Sequence, residues 1–239
     1  MKPAPFDYAA PPTLDEALAL LGEDAKPLAG GQSLVPLLNF RLSRPSLLVD
    51  LNGVAGLDRI RREGGSLRIG ALVRQRALER SRLVAEHWPV LQAAVSHVAH
   101  PAIRNRGTVG GSVAHADPAA ELPCALAALD ARFHVRSRRG VRVLSHDELF
   151  VGPLQTALAP DDLLVEIEVP ALPAGARQGF AEHARTHGDF ALACVAVAGD
   201  RIALGGVAPT PRVVSSLEEA RLDDPYRRAL VTELLRRAA

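Results

Sequence analysis

His100-PAIRNRGTVGGSVAHADPAAELP-Cys124 is the stretch whose reading decides the fold. At its centre a glycine pair, Gly110-Gly111, follows Thr108-Val109 and precedes Ser112. Working outward, a second pair stands upstream in Leu28-AGGQSLVPLLNFRLSRPSLLVDLN-Gly53, where Gly30-Gly31 follows Ala29 and precedes Gln32, Ser33 and Leu34. Glycine reaches positive φ and leaves no Cβ between main-chain N–H groups and a ligand. Consecutive N–H groups in such a turn form a concave donor set that suits phosphate oxygens. A helix starting after the first turn adds its N-terminal dipole, and Ser33, Thr108 and Ser112 add hydroxyls. Two such turns would grip a pyrophosphate from opposite sides. Each pair alone is most often an ordinary turn. Neither is followed by G-K-[ST], and neither fits G-x-G-x-x-G, so a P-loop and the usual nicotinamide-binding fold are both unsupported.

The flanking pattern is mixed. Thr13 and Glu16 form a T-x-x-E capping box ahead of a helical repeat at Leu14, Ala17, Leu18 and Leu21. Pro27-Leu28-Ala29 leads into the first glycine pair, and Leu34, Leu37, Leu38 and Leu42 predict an amphipathic helix with Pro36 in its first turn. Leu47 to Leu51 reads as a buried strand, which makes the N-terminus a small α/β unit. Ser66 to Ala71 reads as a strand, followed by two helical segments broken at Pro89. The arginines between Arg59 and Arg82 read as a solvated face with local acidic partners, or as a docking surface. Arg132–Arg136 and Val141–Leu144 alternate like a hairpin around Gly140, and Leu163–Val169 is a strand closed by Pro170. Residues 172–176 look like a linker. Beyond them Phe190–Ala198 and Arg201–Val207 form a hairpin through Gly199-Asp200, and Tyr226–Arg237 is helical. The fold class is α+β with a boundary near Pro170.

Composition narrows the function. The 239 residues are 48% hydrophobic and 23% charged with a net charge of +1, which is globular and argues against a basic nucleic-acid binder. A chain this long buries roughly 70–75% of its unfolded surface, so its core needs no metal or disulfide. The two cysteines, Cys124 and Cys194, sit in apolar runs and read as buried thiols; two cannot supply the four thiolates of an iron–sulfur cluster. No signal-peptide core and no run of about eighteen apolar residues occurs, so a reduced cytoplasmic location without a transmembrane segment is expected, peripheral to the inner face of the membrane at most. His97 and His100 lack metal-ligand spacing. Asp117 before Pro118 suits a cap for the helix through Leu122, and no Ser-His-Asp or Cys-His signature is evident.

The two glycine stretches, with Leu149-FVGPLQTALAPDDLLVEIEVP-Ala171, the Arg185…Gly188-Asp189-Phe190 segment and Gly205-Gly206-Val207-Ala208-Pro209-Thr210-Pro211, closely resemble the FAD-binding medium subunit of molybdenum hydroxylases. Aerobic carbon monoxide dehydrogenases, xanthine dehydrogenases and aldehyde oxidoreductases belong to that family. The resemblance implies a two-subdomain FAD-binding module of the vanillyl-alcohol oxidase type over residues 1–170, divided near residue 56, and a shortened C-terminal α+β domain over 171–239. It implies that Ala29, Gly30, Gly31, Gln32, Ser33 and Leu34, with Thr108, Val109, Gly110, Gly111 and Ser112, hold the pyrophosphate and ribityl chain. Glu121 takes the acidic position that hydrogen-bonds the cofactor, Asp117 lies in the same signature, and Val98 and Leu164 take positions that pack on the flavin. Gln32 stands where some members of the wider fold carry a covalently attached histidine, and an amide cannot make that bond, so the FAD is expected to be non-covalent. The implied role is electron transfer from [2Fe–2S] clusters of a small partner, fed by a large molybdopterin subunit in a dimer of heterotrimers, to an external acceptor. A stand-alone FAD-dependent reductase and a scaffold that has lost FAD are the alternatives.

Overall fold

The computed structural model describes residues 2–238. Among the described residues, three larger sheets and one two-stranded pair are formed. The first contains β1 (Asp7–Ala9), β2 (Ala25–Leu28) and β3 (Leu47–Asp50), all parallel in the order β1-β3-β2. The helix α1 (Leu14–Leu20) crosses between β1 and β2; the Thr13 hydroxyl accepts from the Glu16 N–H at 3.3 Å, which fixes its start. Ala17, Leu18, Leu21 and Val49 are buried together beneath it. The helix after the first glycine pair, α2 (Leu34–Asn39), is shorter than its leucine spacing predicts. The chain leaves it at Arg41 with φ +58, only Leu38 is buried, and Leu42 is 76% exposed.

The middle sheet is antiparallel, in the order β4-β5-β10-β6-β7. It takes β4 (Ile60–Glu63), β5 (Ser66–Gly70), β6 (Arg132–Ser137), β7 (Gly140–Leu144) and β10 (Leu163–Val169). The β6–β7 hairpin closes at Ser137 opposite Gly140, as the alternation around that glycine predicts. The helices α3 (Gln75–Glu79), α4 (Arg82–His87), α5 (Pro89–His97), α6 (Pro101–Arg106), α7 (Val109–His115) and α8 (Glu121–Ala128) lie between β5 and β6. Ser81 caps α4 and splits the stretch before Pro89 into two short helices. A one-turn helix α9 (His146–Leu149) and the short pair β8 (Phe150–Gly152) and β9 (Gln155–Thr156) complete this part. Across β4, β5 and β10, Arg61 and Arg68 are paired with Glu166, and Arg68 also with Glu168, so this arginine-rich stretch finds acidic partners on its own sheet.

The third sheet is antiparallel: β11 (Gln178–His183), β12 (Ala193–Ala198), β13 (Arg201–Gly205) and β14 (Arg212–Val214) in that order, with α10 (Pro225–Ala238) on one face. Gly199 at φ +61 turns β12 into β13, as a two-residue hairpin needs. β12 is covered on both faces, which explains its unbroken apolar sequence. Ala193, Val195 and Val197 face Val231 and Leu234 of α10, while Cys194, Ala196 and Ala198 face the central core that contains α8. Every residue of α8 is buried, and it joins the middle and third sheets. No helix among the described residues is long and apolar enough to cross a membrane.

Candidate functional site

β2 ends at Leu28, and the chain turns through Ala29-Gly30-Gly31 before α2 begins. Gly31 has φ +73, a conformation that L side chains rarely adopt. Among the described residues, the N–H groups of Gly30, Gly31, Gln32, Ser33 and Leu34 meet no protein acceptor; the first to do so is Val35, on the Gly31 carbonyl at 2.9 Å. The Gln32 side chain folds back and donates Nε2 to the Gly30 carbonyl at 3.0 Å, bracing the turn. Ser33 is exposed and caps nothing. Five successive unbonded amides around a positive-φ glycine form a concave donor row matched to diphosphate oxygens.

The second glycine pair differs from its sequence expectation. Val109 N–H donates to Val73 O and Gly110 N–H to Ala71 O, each at 2.9 Å, while Gly111 N–H donates to the Thr108 hydroxyl at 3.0 Å and Ser112 N–H to Thr108 O at 3.1 Å. These amides open α7 and are already bonded within the protein, so they do not form a second nest. Thr108 is buried as the α7 cap, not presented as a free hydroxyl. Gly110 is needed for close approach, since a Cβ there would stand 2.7 Å from the Ala71 Cα. A Cβ on Gly111 would stand 3.9 Å from the Ala29 Cβ, so the two glycine stretches do lie side by side. Asp117 also departs from expectation: α8 is capped by Ala120 without a side-chain bond, and the Asp117 carboxylate accepts from the Ala119 N–H at 2.9 Å in a local turn.

Two residues that the sequence reading passed over frame the first turn. Asn52 donates Nδ2 to the Ala29 carbonyl at 3.0 Å. Arg74 donates to Asn52 Oδ1 at 2.7 Å and to the Arg106 carbonyl, which places a guanidinium beside the donor row. An isolated arginine among many gave no signal of this; only the β5–α3 connection brings it here.

α6 links this turn to a second region. Its C-terminal end, Arg106-Gly107, packs on Gly30, and its N-cap, His100, packs on Gly188 of the third sheet's long loop. Six helical residues rise about 9 Å, so the two ends stand roughly that far apart. At the far end a cavity of about 420 Å³ is lined by Arg185, Gly188, Asp189, Phe190 and Leu192. The turn leading to His100 is held by buried Arg104, whose Nη1 donates to the Val98 carbonyl at 2.8 Å and whose Nε meets Glu79 at 3.0 Å. Leu164 is buried in the same core, on β10, while Val98 is half-buried.

Glu121 begins α8 at this end and is 6% exposed. Burial pushes its carboxyl up to about 7; Glu182 and Asp117 add to the rise, while its own amide and His97 oppose it. Glu182, on β11, meets His97 Nδ1 through Oε1 at 3.2 Å, and its Oε2 is buried without a partner. That ion pair raises the His97 imidazolium above its ordinary range against a smaller opposing effect of burial. Glu182 is a further residue the sequence reading missed; an acid among Phe180, Ala181 and the apolar strand beyond was its signal.

Five amides without protein acceptors, a guanidinium near them and a cavity one short helix away suit a phosphate-bearing cofactor, as in a nucleotide-binding module. Residues 4–172 match the family described as the FAD binding domain in molybdopterin dehydrogenase. The chain is 51% identical over 195 residues to the 6-hydroxypseudooxynicotine dehydrogenase complex subunit alpha of Paenarthrobacter nicotinovorans, covering 80% of this chain and 66% of that one. It is 42% identical over 230 residues to the nicotine 6-hydroxylase medium subunit of the same organism, covering 92% and 81%. A solved carbon monoxide dehydrogenase from Hydrogenophaga pseudoflava superposes with a TM-score of 0.92 at 34% identity, over 100% of this chain and 97% of that one. The chain belongs to the FAD-binding medium-subunit family of molybdenum hydroxylases; it is an oxidoreductase subunit, and its cofactor is FAD.

Proposed function

We propose that the chain receives electrons from [2Fe–2S] clusters of a small partner subunit and passes them through non-covalent FAD to an external acceptor, while a large molybdopterin subunit oxidises the substrate. The observation that carries this is the row of five unbonded amides from Gly30 to Leu34, set in a chain whose relatives are named as subunits of such dehydrogenases. In this reading the amide row holds the diphosphate and Arg74 offsets its charge. The chain between diphosphate and ring runs past α6, and the Arg185–Leu192 cavity takes the ring. FAD supplies the exchange between single-electron and two-electron steps. The protein holds, orients and partly shields it. Val109, Gly110 and Gly111 act here by letting α7 pack tightly beside Ala29.

The same reading divides the chain near residue 170 into the FAD-binding module and the α10-backed sheet. It places the chain in a dimer of heterotrimers in the cytoplasm, where the two free, buried cysteines suit a reducing compartment. The test is flavin content and electron source. The purified full chain should carry FAD, and a reduced [2Fe–2S] partner should bleach it. Rapid bleaching of the isolated chain by NADPH would favour a stand-alone reductase instead, and a chain that takes no FAD would favour a scaffold.

A further inference from the structure

Four side chains from separate elements form one run of hydrogen bonds that ends on the first glycine turn. The Tyr8 hydroxyl, on β1, donates to Asp50 Oδ2 on β3, and the Asn52 N–H and Nδ2 both donate to Asp50 Oδ1. Asn52 Nδ2 also donates to the Ala29 carbonyl at 3.0 Å, and Asn52 Oδ1 accepts from Arg74 Nη2 at 2.7 Å. These partners fix the amide in one orientation. Turned over, it would set its oxygen against a carbonyl and a carboxylate, and its donors against a cation. The Ala29–Gly30 peptide is planar and trans, so the Ala29 carbonyl and the Gly30 N–H point opposite ways. By holding that carbonyl, Asn52 aims the Gly30 N–H, the first of the unbonded row. Gln32 acts alike one residue on: it holds the Gly30 carbonyl and so aims the Gly31 N–H. Arg74 Nη1 donates to the Arg106 carbonyl, which lies against Gly30. Among the described residues Arg74 makes no ion pair, although Asp50 stands just across the Asn52 amide. Asp50 stays a carboxylate: burial opposes its charge, but hydrogen bonds from Tyr8 and Asn52, with the Arg74 cation, outweigh burial and hold the carboxyl below its ordinary value.

We propose that Asn52 is a positioning residue for the cofactor's diphosphate: one neutral amide aims the first N–H of the row and holds Arg74 off Asp50, so that the guanidinium keeps its charge for the phosphates. The inference rests on the FAD reading above. A carboxylate in place of the amide, or a gap there, lets Arg74 pair with an acid of its own chain, and a neutralised guanidinium attracts an anion far less. The bonds among Tyr8, Asp50, Asn52 and Arg74 are exposed, and exposed polar contacts add little to stability. What this network does is set the turn and the cation in place for an anion, not hold the fold together.

Titration of FAD into the flavin-free full chain, followed by flavin fluorescence at low and at high ionic strength, tests this. In the parent, affinity should fall as salt rises, because part of it is the attraction between Arg74 and the diphosphate. Arg74→Ala should weaken FAD binding about tenfold and flatten the salt dependence. Asn52→Asp and Asn52→Ala should each do the same although Arg74 is intact. Adding Asp50→Asn to Asn52→Ala should recover part of the loss, because the acid that competes for Arg74 is gone. The urea midpoint of the flavin-free chain should move little in any of these variants. Unchanged affinity and salt dependence in Asn52→Asp, or no recovery in the double variant, overturns the positioning role. A urea midpoint that drops together with affinity in both Asn52 variants overturns it too, since Asn52 would then serve the fold alone. A parent chain that binds no FAD overturns the flavin reading instead, and the parent titration by itself tells the two failures apart.

Discussion

Gly30 and Gly107 meet backbone to backbone: a Cβ on Gly30 would stand 2.8 Å from the Gly107 Cα, and it would collide with the Arg106 carbonyl. Neither neighbour is the movable end of a side chain, so the α6 terminus would have to shift. Gly30→Ala should therefore cost about 1–3 kcal/mol, as overpacking does, and should also distort the amide row. Gly31→Ala acts differently. Its Cβ would crowd Val35 Cγ2 at 3.2 Å, a side-chain methyl that can give by a few tenths of an ångström, and meet Leu28 Cδ1 at 3.4 Å, while φ +73 strains any L residue by about 1–2 kcal/mol. Urea unfolding of both variants, read beside flavin content, should show the larger stability loss in Gly30→Ala and lowered FAD retention in both.

Arg104 is a buried cation whose removal leaves several groups without partners. It bonds Glu79 and the carbonyls of Val98 and Ala99. Arg104→Ala should cost about 3–5 kcal/mol in urea unfolding, the range for breaking one partner of a buried pair. Burial opposes ionisation of Glu79, yet hydrogen bonds from Arg76 and Arg104 outweigh it and hold the carboxyl below its usual range. That stabilisation is present above the ordinary carboxylate range, about pH 4, and fades as pH falls through the lowered value. Arg104→Ala should accordingly flatten the acid limb of the stability profile.

Local signals were legible in the sequence and distant ones were not. Thr13, Gly140 and Gly199 each act within a few residues, so the start of α1 and two hairpins followed from spacing alone. β1 and β11 gave no signal, because β1 exists only through its pairing with β3, and β11 only through β12. The glycine pairs show the same limit at the site. Both look alike in sequence, but the carbonyls of Ala71 and Val73 occupy the amides of Gly110 and Val109, and nothing near residue 110 announces that. Arg74 and Glu182 show the same limit: the β5–α3 connection brings Arg74 to Asn52, and the β11–β12 pairing sets Glu182 opposite Cys194.

The raised carboxyl of Glu121 has a consequence for stability. Its folded value near 7 lies above its unfolded value, so the folded chain binds more protons between about pH 4 and 7. The stability it contributes is complete below that window and falls as pH rises through it. His97, also raised, adds a loss in the same direction as pH rises past its own folded value. Glu121→Gln should abolish the first component. The variant should gain on the order of 3 kcal/mol over the parent above pH 7 and nothing at about pH 4, in urea titrations of the flavin-free chain across that range.

The thiols offer the last test. Cys124 and Cys194 are fully buried, and the Cys194 thiol is pushed well above its ordinary value by its hydrogen bond with Cys124 and by burial. Burial shields both sulfurs from a reagent, and the raised Cys194 thiol also forms little thiolate, so both should be inert to a thiol reagent in the native chain. In guanidinium, two thiols per chain should react. Gly205 sets how tightly the pair is enclosed, because a Cβ there would stand 2.6 Å from Cys194 Sγ. Gly205→Ala should push Cys194 aside, loosen the contact between β13 and α8, and make labelling measurable below the unfolding transition. If native labelling is as fast in the parent as in this variant, the packing of α8 against the third sheet is not as tight as described.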